Sequence, residues 1–125
     1  QLDDEMLRVL SLLRSEMQKL LVWNEQRETL PLSVSKVVYC ETVEEKTFVY
    51  THDGIYQTAL SLAELEDRWG DLGLFRAGKS SVMNLHEIQK LKNCGSGRIE
   101  ALLTTGEKMI ISRRYAPMLR ERLGL

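Results

Sequence analysis

The stretch GLFRAGKSSVMNL, residues 73–85, decides the fold, because two incompatible structures fit its letters. Its first eight residues match the phosphate-loop pattern G-x-x-x-x-G-K-[ST] of nucleotide hydrolases. A phosphate loop follows a buried strand and opens a helix, so that backbone N–H groups surround the phosphates. Here a polar helix ending in EDRWGDL precedes Gly73, and strand-like residues follow Ser80. We therefore interpret the match as a coincidence and predict a strand pair.

The rest of the chain gives the hydrolase interpretation no support. No apolar strand ends in an aspartate that could hold magnesium, and 125 residues leave no room for a parallel sheet with helices on both faces. His52 and His86 stand alone, without the spacing of a metal site. Cys40 and Cys94 make no CxxC pair, which favours reduced thiols. We expect a protein that is not an enzyme and needs neither cofactor nor metal.

Composition and charge point to a globular protein with an unequal charge distribution. The hydrophobic fraction of 43% is typical of a chain that folds, and the length of 125 residues predicts one domain with an appendage. Residues 1–72 carry 7 basic and 14 acidic side chains, whereas residues 73–125 carry 10 basic and 4 acidic ones. This asymmetry favours a surface for a polyanion on the second half. An acidic start and the lack of a long apolar run predict a cytoplasmic location.

The first 18 residues are predicted to form an amphipathic helix, as an element separate from a domain over residues 19–125. Met6, Leu10, Leu13 and Met17 recur at steps of 4, 3 and 4. Two explanations of this stripe remain open. We prefer packing against the rest of the same chain, but such spacing is also typical of helices that pair with a second copy.

Residues 19–125 are predicted to be mainly β, with short helices between strands. Hydrophobic runs flank the polar NEQR as a hairpin, and a strand meander with a turn at Asp53-Gly54 follows. Ser61 and Glu64 have the spacing of a capping box, which predicts a short helix ending at Gly70. Further strands and a final helix are predicted in the segments LFRAGKSSVMNL, QKLKN, RIEALLTT, KMIISRR and YAPMLRERLGL.

The strand pair carries side chains suited to a phosphate backbone. Alternation along an unbroken strand puts Arg76 on one face and Phe75 on the other. Lysine and arginine supply charge to phosphates and serine supplies a neutral donor, which makes Arg76, Lys79 and Ser80 candidate contacts for a phosphate backbone. Arg98, after the loop CGSG, either contacts phosphate or keeps a strand soluble. Trp69 and Tyr115 are interpreted as core residues.

Four segments in order resemble a known family: KVVYCETVEEKTFVYTHDG, LSLAELEDR, GLFRAGKSSVMNLHEIQKLK and GRIEALLTTGEKMIISRRYAPMLRERL. The chain is similar over residues 20–123 to the LytTR-type DNA-binding domain of bacterial transcriptional regulators. Its most specific pieces are LFR…KSSVMNL and ISRRY. The resemblance implies a LytTR-like fold, mainly β, with small sheets and short helices, here preceded by the N-terminal helix.

The resemblance also implies a mode of action, in which loops enter successive major grooves of promoter DNA. It implies Lys46 or Thr47 as one base contact, Lys79 and Ser80 near the backbone, and Arg114 with neighbouring Arg113 as the second base reader. Arginine suits this role because it grips guanine O6 and N7 with two hydrogen bonds. Many members carry histidine where this chain has Gly78, so this chain lacks the side chain for a contact there.

These observations lead to a hypothesis of a sequence-specific DNA-binding transcriptional regulator that acts as a homodimer on repeated half-sites. The alternative is a protein-interaction module that binds an acidic or membrane-associated partner without reading DNA. The chain resembles the short family members without a receiver domain. Some of these are encoded beside a small membrane protein thought to restrain them, which suggests such a partner by analogy.

Overall fold

The computed structural model describes residues 3–125, except for the side chains of residues 14–16. The described chain forms three helices and ten strands. In chain order these are α1 (Asp4–Met17), β1 (Lys19–Trp23), β2 (Thr29–Ser33), β3 (Tyr39–Val43), β4 (Lys46–Tyr50), β5 (Ile55–Thr58), α2 (Leu62–Trp69), β6 (Leu74–Gly78), β7 (Ser81–Asn84), β8 (Ile88–Asn93), β9 (Ile99–Leu103), β10 (Lys108–Ile111) and α3 (Ala116–Leu123).

The strands form two antiparallel sheets. The larger has the order β2-β1-β5-β4-β3-β7-β6, and the smaller has the order β10-β9-β8. The predicted hairpin around NEQR is β1–β2, the meander is β3–β4–β5, and residues 74–84 form the strand pair β6–β7. The prediction of a mainly β fold with short helices is confirmed.

Each face of the larger sheet packs on a hydrophobic core, and β6 contributes to both. Leu74 joins the core beneath α2, where Leu62, Leu65 and Trp69 are buried. Phe75 joins the second core, which the smaller sheet and α3 cover. The alternation expected at Leu74 and Phe75 is therefore present. It is interrupted by a bulge between Arg76 and Gly78.

Helix α2 begins with the predicted capping box. The backbone N–H of Glu64 donates to Ser61 Oγ at 3.1 Å, and the N–H of Ser61 donates to Glu64 Oε1 at 3.2 Å. Both bonds satisfy backbone donors that the first turn of a helix leaves without partners. The predicted final helix is α3, with Pro117 in its first turn and Gly124 after its end at φ +73°.

Gly73 is explained by chain reversal rather than by phosphate binding. It ends the 3₁₀ turn Gly70–Leu72 at φ +115°, a conformation that favours glycine. Its N–H donates to the Gly70 carbonyl at 3.0 Å, and its own carbonyl accepts from the N–H of Leu85 at 2.8 Å. Residues 74–78 then form a strand, so the phosphate-loop letters span a turn and a hairpin.

Helix α1 is present as predicted, but the described body does not cover its apolar stripe. The indole Nε1 of Trp69 donates to the Met17 carbonyl at 2.6 Å, which fixes the end of the helix. The stripe borders the body only along a groove beside Trp69 and Leu72, and both explanations of the stripe stay predictions. None of the described helices is both long and apolar enough to cross a bilayer. Apolar side chains both on the stripe and elsewhere on α1 remain 44% to 73% exposed: Met6, Leu10, Leu13 and Met17 on the stripe, Leu7 and Val9 beside it, and Leu12 away from it.

Candidate nucleic-acid interface

An open groove of about 750 Å³ brings together five of the residues singled out from the sequence. It lies between the β3–β4 hairpin, the β6–β7 turn and the start of α2. The N-terminus of α2 adds the positive end of a helix dipole to its rim. The five residues are Lys46, Thr47, Arg76, Lys79 and Ser80.

The β3–β4 hairpin presents Lys46 at the edge of this groove. Val43 pairs with Lys46, so the connection consists of Glu44 and Glu45, at φ +50° and +66°. Two left-handed residues are characteristic of a type I′ turn, which fits the twist of the flanking strands and usually contains asparagine or glycine. Lys46 is exposed, whereas Thr47 is 8% exposed. Of the two sequence alternatives, Lys46 is the accessible one.

Arg76 is engaged within the protein. Its Nε donates to the Gly78 carbonyl and its Nη2 to the Lys79 carbonyl, both at 2.7 Å. Its Nη1 lies 3.9 Å from Glu66 Oε2. The guanidinium therefore holds the β6–β7 turn in shape, and the contact of Arg76 with DNA stays a prediction.

Lys79 and Ser80 are exposed at the tip of this turn. The Ser80 carbonyl accepts a 2.9 Å hydrogen bond from the backbone N–H of Thr42 at the end of β3. This bond ties the β6–β7 turn to the hairpin that carries Lys46. Thr42 was not identified from the sequence, because a backbone donor has no residue-type signal and its partner lies far along the chain.

Three further arginines gather where the smaller sheet meets β6. Pairing of Ile99 with Ile111 puts Arg98 beside the strand end that continues into Arg113 and Arg114. Arg113 packs on Gly97, where an added Cβ would lie 2.9 Å from Arg113 Cγ. The left-handed Gly97, at φ +76°, is a positioning residue that the sequence analysis missed.

Arg114 is exposed on the turn before α3, with Cζ 5.5 Å from the ring centroid of Tyr115. Tyr115 itself is half-buried against the second core, in agreement with its interpretation as a core residue, and Trp69 is buried. The Tyr115 ring thus helps to hold the Arg114 side chain in place, since a guanidinium is attracted to an aromatic face.

Two groups of cations are available for a ligand: the lysines of the groove and the three arginines beside the smaller sheet. Within the described part of the chain, no ion pair engages the side chains of Lys46, Lys79, Arg98, Arg113 or Arg114. Glu45 is an acidic residue on the groove wall, and Lys79 and Ser80 also line the groove.

Away from these groups, polar side chains join the two sheets. His52 Nε2 lies 3.1 Å from Glu87 Oε1 and 3.0 Å from Thr104 Oγ1, and Thr104 Oγ1 donates to Glu87 Oε1 at 2.9 Å. The contacts hold the loop after β4 against the smaller sheet. Both cysteines are unpaired, with Cys40 buried and Cys94 exposed.

An arrangement of unpaired cations on rigid turns is typical of domains that bind nucleic acids. The sequence matches the LytTr DNA-binding domain family over residues 27–124, and the chain belongs to this family. It is a DNA-binding domain of the kind found in transcriptional regulators, a family of binding domains and not of enzymes.

Two regulators illustrate the relationship in sequence. The sensory transduction protein LytT of Enterococcus faecalis is 25% identical over 89 residues, which cover 70% of this chain and 37% of that protein. The transcriptional regulatory protein BtsR of Escherichia coli K12 is 30% identical over 95 residues, covering 75% of this chain and 38% of that protein. The chain thus spans less than two-fifths of either regulator.

A solved structure shares the fold. It is the LytTr DNA-binding domain of a Bacillus cereus protein described as a methyl-accepting/DNA response regulator. The two structures superpose with a TM-score of 0.80 over 86% of this chain and 98% of that one, at 23% identity. At this level of identity the likeness is one of fold.

Proposed function

We propose that this domain binds promoter DNA sequence-specifically, with two projecting turns in successive major grooves. Lys46 contacts base edges in one groove and Arg114 in the next. The observation that carries the proposal is that backbone hydrogen bonds fix both the hairpin with Lys46 and the strand end before Arg114 to the β6–β7 hairpin, which carries Lys79. Arginine on a short turn suits a base edge, because its planar fork matches guanine O6 and N7.

Other residues close to Lys46 and Arg114 contact the phosphates. Lys79 and Ser80 contact the DNA backbone beside the groove that Lys46 enters, and Arg98 and Arg113 contact the backbone beside the groove that Arg114 enters. Each lysine or arginine that neutralises a phosphate adds roughly 0.9 to the slope of log affinity against log salt. Binding should therefore weaken steeply with salt even though the whole chain has a net charge of −1.

Lys46 is preferred to Thr47 as the base contact, since the threonine is buried between neighbouring strands. Arg76 serves as a positioning residue, because both its hydrogen bonds hold carbonyls of the turn that carries Lys79. A phosphate can still approach its remaining exposed edge. The principal role of Arg76 is nevertheless to fix the turn.

The biological setting follows from the same proposal. The chain regulates transcription in the cytoplasm as a homodimer on repeated half-sites, and a small membrane protein that covers the DNA-binding surface would restrain it. A domain division at residue 18 separates the helix from the DNA-binding part. The competing function is a protein-interaction module without DNA readout, for which the uncovered stripe of α1 is the favouring observation.

Binding-site selection from random duplexes, followed by a competition gel shift, tests the proposal. We expect recovery of a repeated motif and preference for it over random DNA. Salt-sensitive binding without any preferred motif would contradict sequence reading. Absence of DNA binding, together with capture of an acidic or membrane partner, would favour the interaction module.

A further inference from the structure

We propose that α1 is a dimerisation helix, which pairs antiparallel with α1 of a second copy. The partner helix lies in the groove between α1 and α2, here named the α1–α2 groove. This inference rests on the homodimer proposed above and identifies the surface that forms it. Its walls are Leu10, Leu13, Met17, Gln18, Arg68, Trp69, Asp71 and Leu72.

The stripe on α1 is too apolar and too large to be left in water. Met6, Leu10, Leu13 and Met17 lie on one side of the helix, and their exposed fractions run from 44% to 73%. Leu7 and Val9, which are 49% and 51% exposed, widen this apolar face, and the side chains of the body beside α1 extend it further. A stable interface takes roughly 800 Å² from each partner, so both parts are needed to form one.

The body of the protein extends this surface beyond the helix. Trp69 holds the Met17 carbonyl with its indole N–H, and Leu72 lies beside it. Between these side chains and α1 the α1–α2 groove has a volume of about 420 Å³. A second amphipathic helix fills such a groove with the side chains of its own stripe.

Charge favours an antiparallel pair. Asp4 and Glu5 lie in the first turn of α1. Arg68 lines the end of the α1–α2 groove near Met17, beside Asp71; its side chain is 55% exposed, and its Nη2 lies 3.9 Å from Glu64 Oε2 in an exposed ion pair that a second carboxylate can share. Antiparallel helices bring Asp4 and Glu5 of each copy to Arg68 of the other, and their dipoles oppose. A parallel pair would place the acidic turns together.

The pairing has the symmetry expected of a two-fold dimer. Leu10 of one copy faces Leu13 of the other, and Met6 faces Met17, because the 4-3-4 spacing reads the same in both directions. One surface therefore serves both partners. A membrane protein segment in the same groove would leave the purified chain monomeric.

Light scattering on the 125-residue chain and on Leu13→Asp tests the inference. We expect a dimer for the parent and at least about a 100-fold loss of dimer affinity for the variant, because a carboxylate would be buried twice in one seam. Leu12→Asp is the matched control, since Leu12 lies outside the stripe and is 68% exposed. It should remain dimeric. Circular dichroism checks that all three chains are folded.

A charge exchange tests the direction. Arg68→Glu should weaken the dimer about two- to five-fold, and adding Asp4→Lys and Glu5→Lys should restore it. A monomeric parent, a dimeric Leu13→Asp, a monomeric Leu12→Asp or a failed restoration would each overturn the arrangement. A parent dimer without DNA preference would support this inference while overturning the DNA-binding proposal.

Discussion

The backbone N–H of Ser112 donates a 2.9 Å hydrogen bond to the carbonyl oxygen of Ala77. Ala77 lies two residues before Lys79, and Ser112 directly precedes Arg113 and Arg114. The bond therefore joins the smaller sheet to the β6–β7 hairpin at the point where both carry unpaired cations. With the Thr42–Ser80 bond, it makes one rigid support for the turns proposed to contact DNA.

Arg114→Ala should lose about 1–3 kcal/mol of specific binding, because the proposed bidentate contact with guanine disappears. Tyr115 remains in its core, so the thermal stability should hardly change. A competition gel shift against random DNA measures the loss. Lys36→Ala is the control, since Lys36 is an exposed cation in the 3₁₀ turn Val34–Lys36 before β3 and belongs to neither group of cations. Equal discrimination by Arg114→Ala and the parent would refute the base contact.

Lys79→Ala should weaken binding to specific and random DNA alike. Lysine contacts phosphate as a point charge, so the log-log salt slope should fall by roughly 0.9. Fluorescence anisotropy over a salt series gives the slope. An unchanged slope would show that Lys79 lies off the DNA.

Arg76→Lys separates positioning from charge. A lysine keeps the charge but cannot bond the Gly78 and Lys79 carbonyls as a planar fork. We expect a loss of about 1–2 kcal/mol of stability in urea unfolding, weaker DNA binding and an unchanged salt slope. Full DNA affinity in this variant would mean that the guanidinium is not needed to hold the turn.

The two glycines of the phosphate-loop match should respond differently to alanine. At Gly73 the φ of +115° is strained for alanine, and its Cβ would lie 2.8 Å from His86 Cδ2, so we expect a loss of about 1–3 kcal/mol. At Gly78 the nearest atom is Ser81 Oγ at 3.4 Å, so stability should change by no more than about 0.5 kcal/mol. Urea unfolding compares them, and equal losses would contradict this account of Gly73.

Stability should fall as the pH rises above about 9. Burial raises the pKa of the Cys40 thiol from 9.0 to about 12, and burial with nearby Glu107 raises the pKa of Tyr39 from 10.0 to about 12. The unfolded chain therefore loses these protons first, which favours unfolding by up to about 1.4 kcal/mol per pH unit for each group. Urea unfolding between pH 8 and 11 measures the fall.

Cys40→Ala provides the control for this pH dependence. The stability of Cys40→Ala should fall less steeply with rising pH than that of the parent, whatever the difference between the two at pH 8. The buried thiol should also resist alkylation in the folded chain, whereas the exposed Cys94 should react. A pH dependence unaltered by the substitution would mean that Cys40 does not contribute.

Much of the fold was predictable, because its signals are local. The Ser61–Glu64 capping box, the Asp53-Gly54 turn and the 4-3-4 spacing of α1 each depend on residues within a few positions of one another. The phosphate-loop match is recognisable as a coincidence from sequence, because its flanking segments and the rest of the chain lack the strand, helix and aspartate that a phosphate loop needs. The role of Arg76 could not be predicted, since it depends on a bulge that turns two carbonyls toward its guanidinium.

By itself the sequence determined the order of the strands and helices, the family resemblance and the candidate cations, because periodicity and turn chemistry act over short distances. Only the tertiary structure decided that Lys46 is accessible while Thr47 is buried, and that α1 leaves its stripe open. It also brought the turn after β10 beside the β6–β7 hairpin. Such contacts depend on how separate elements pack, which no local pattern specifies.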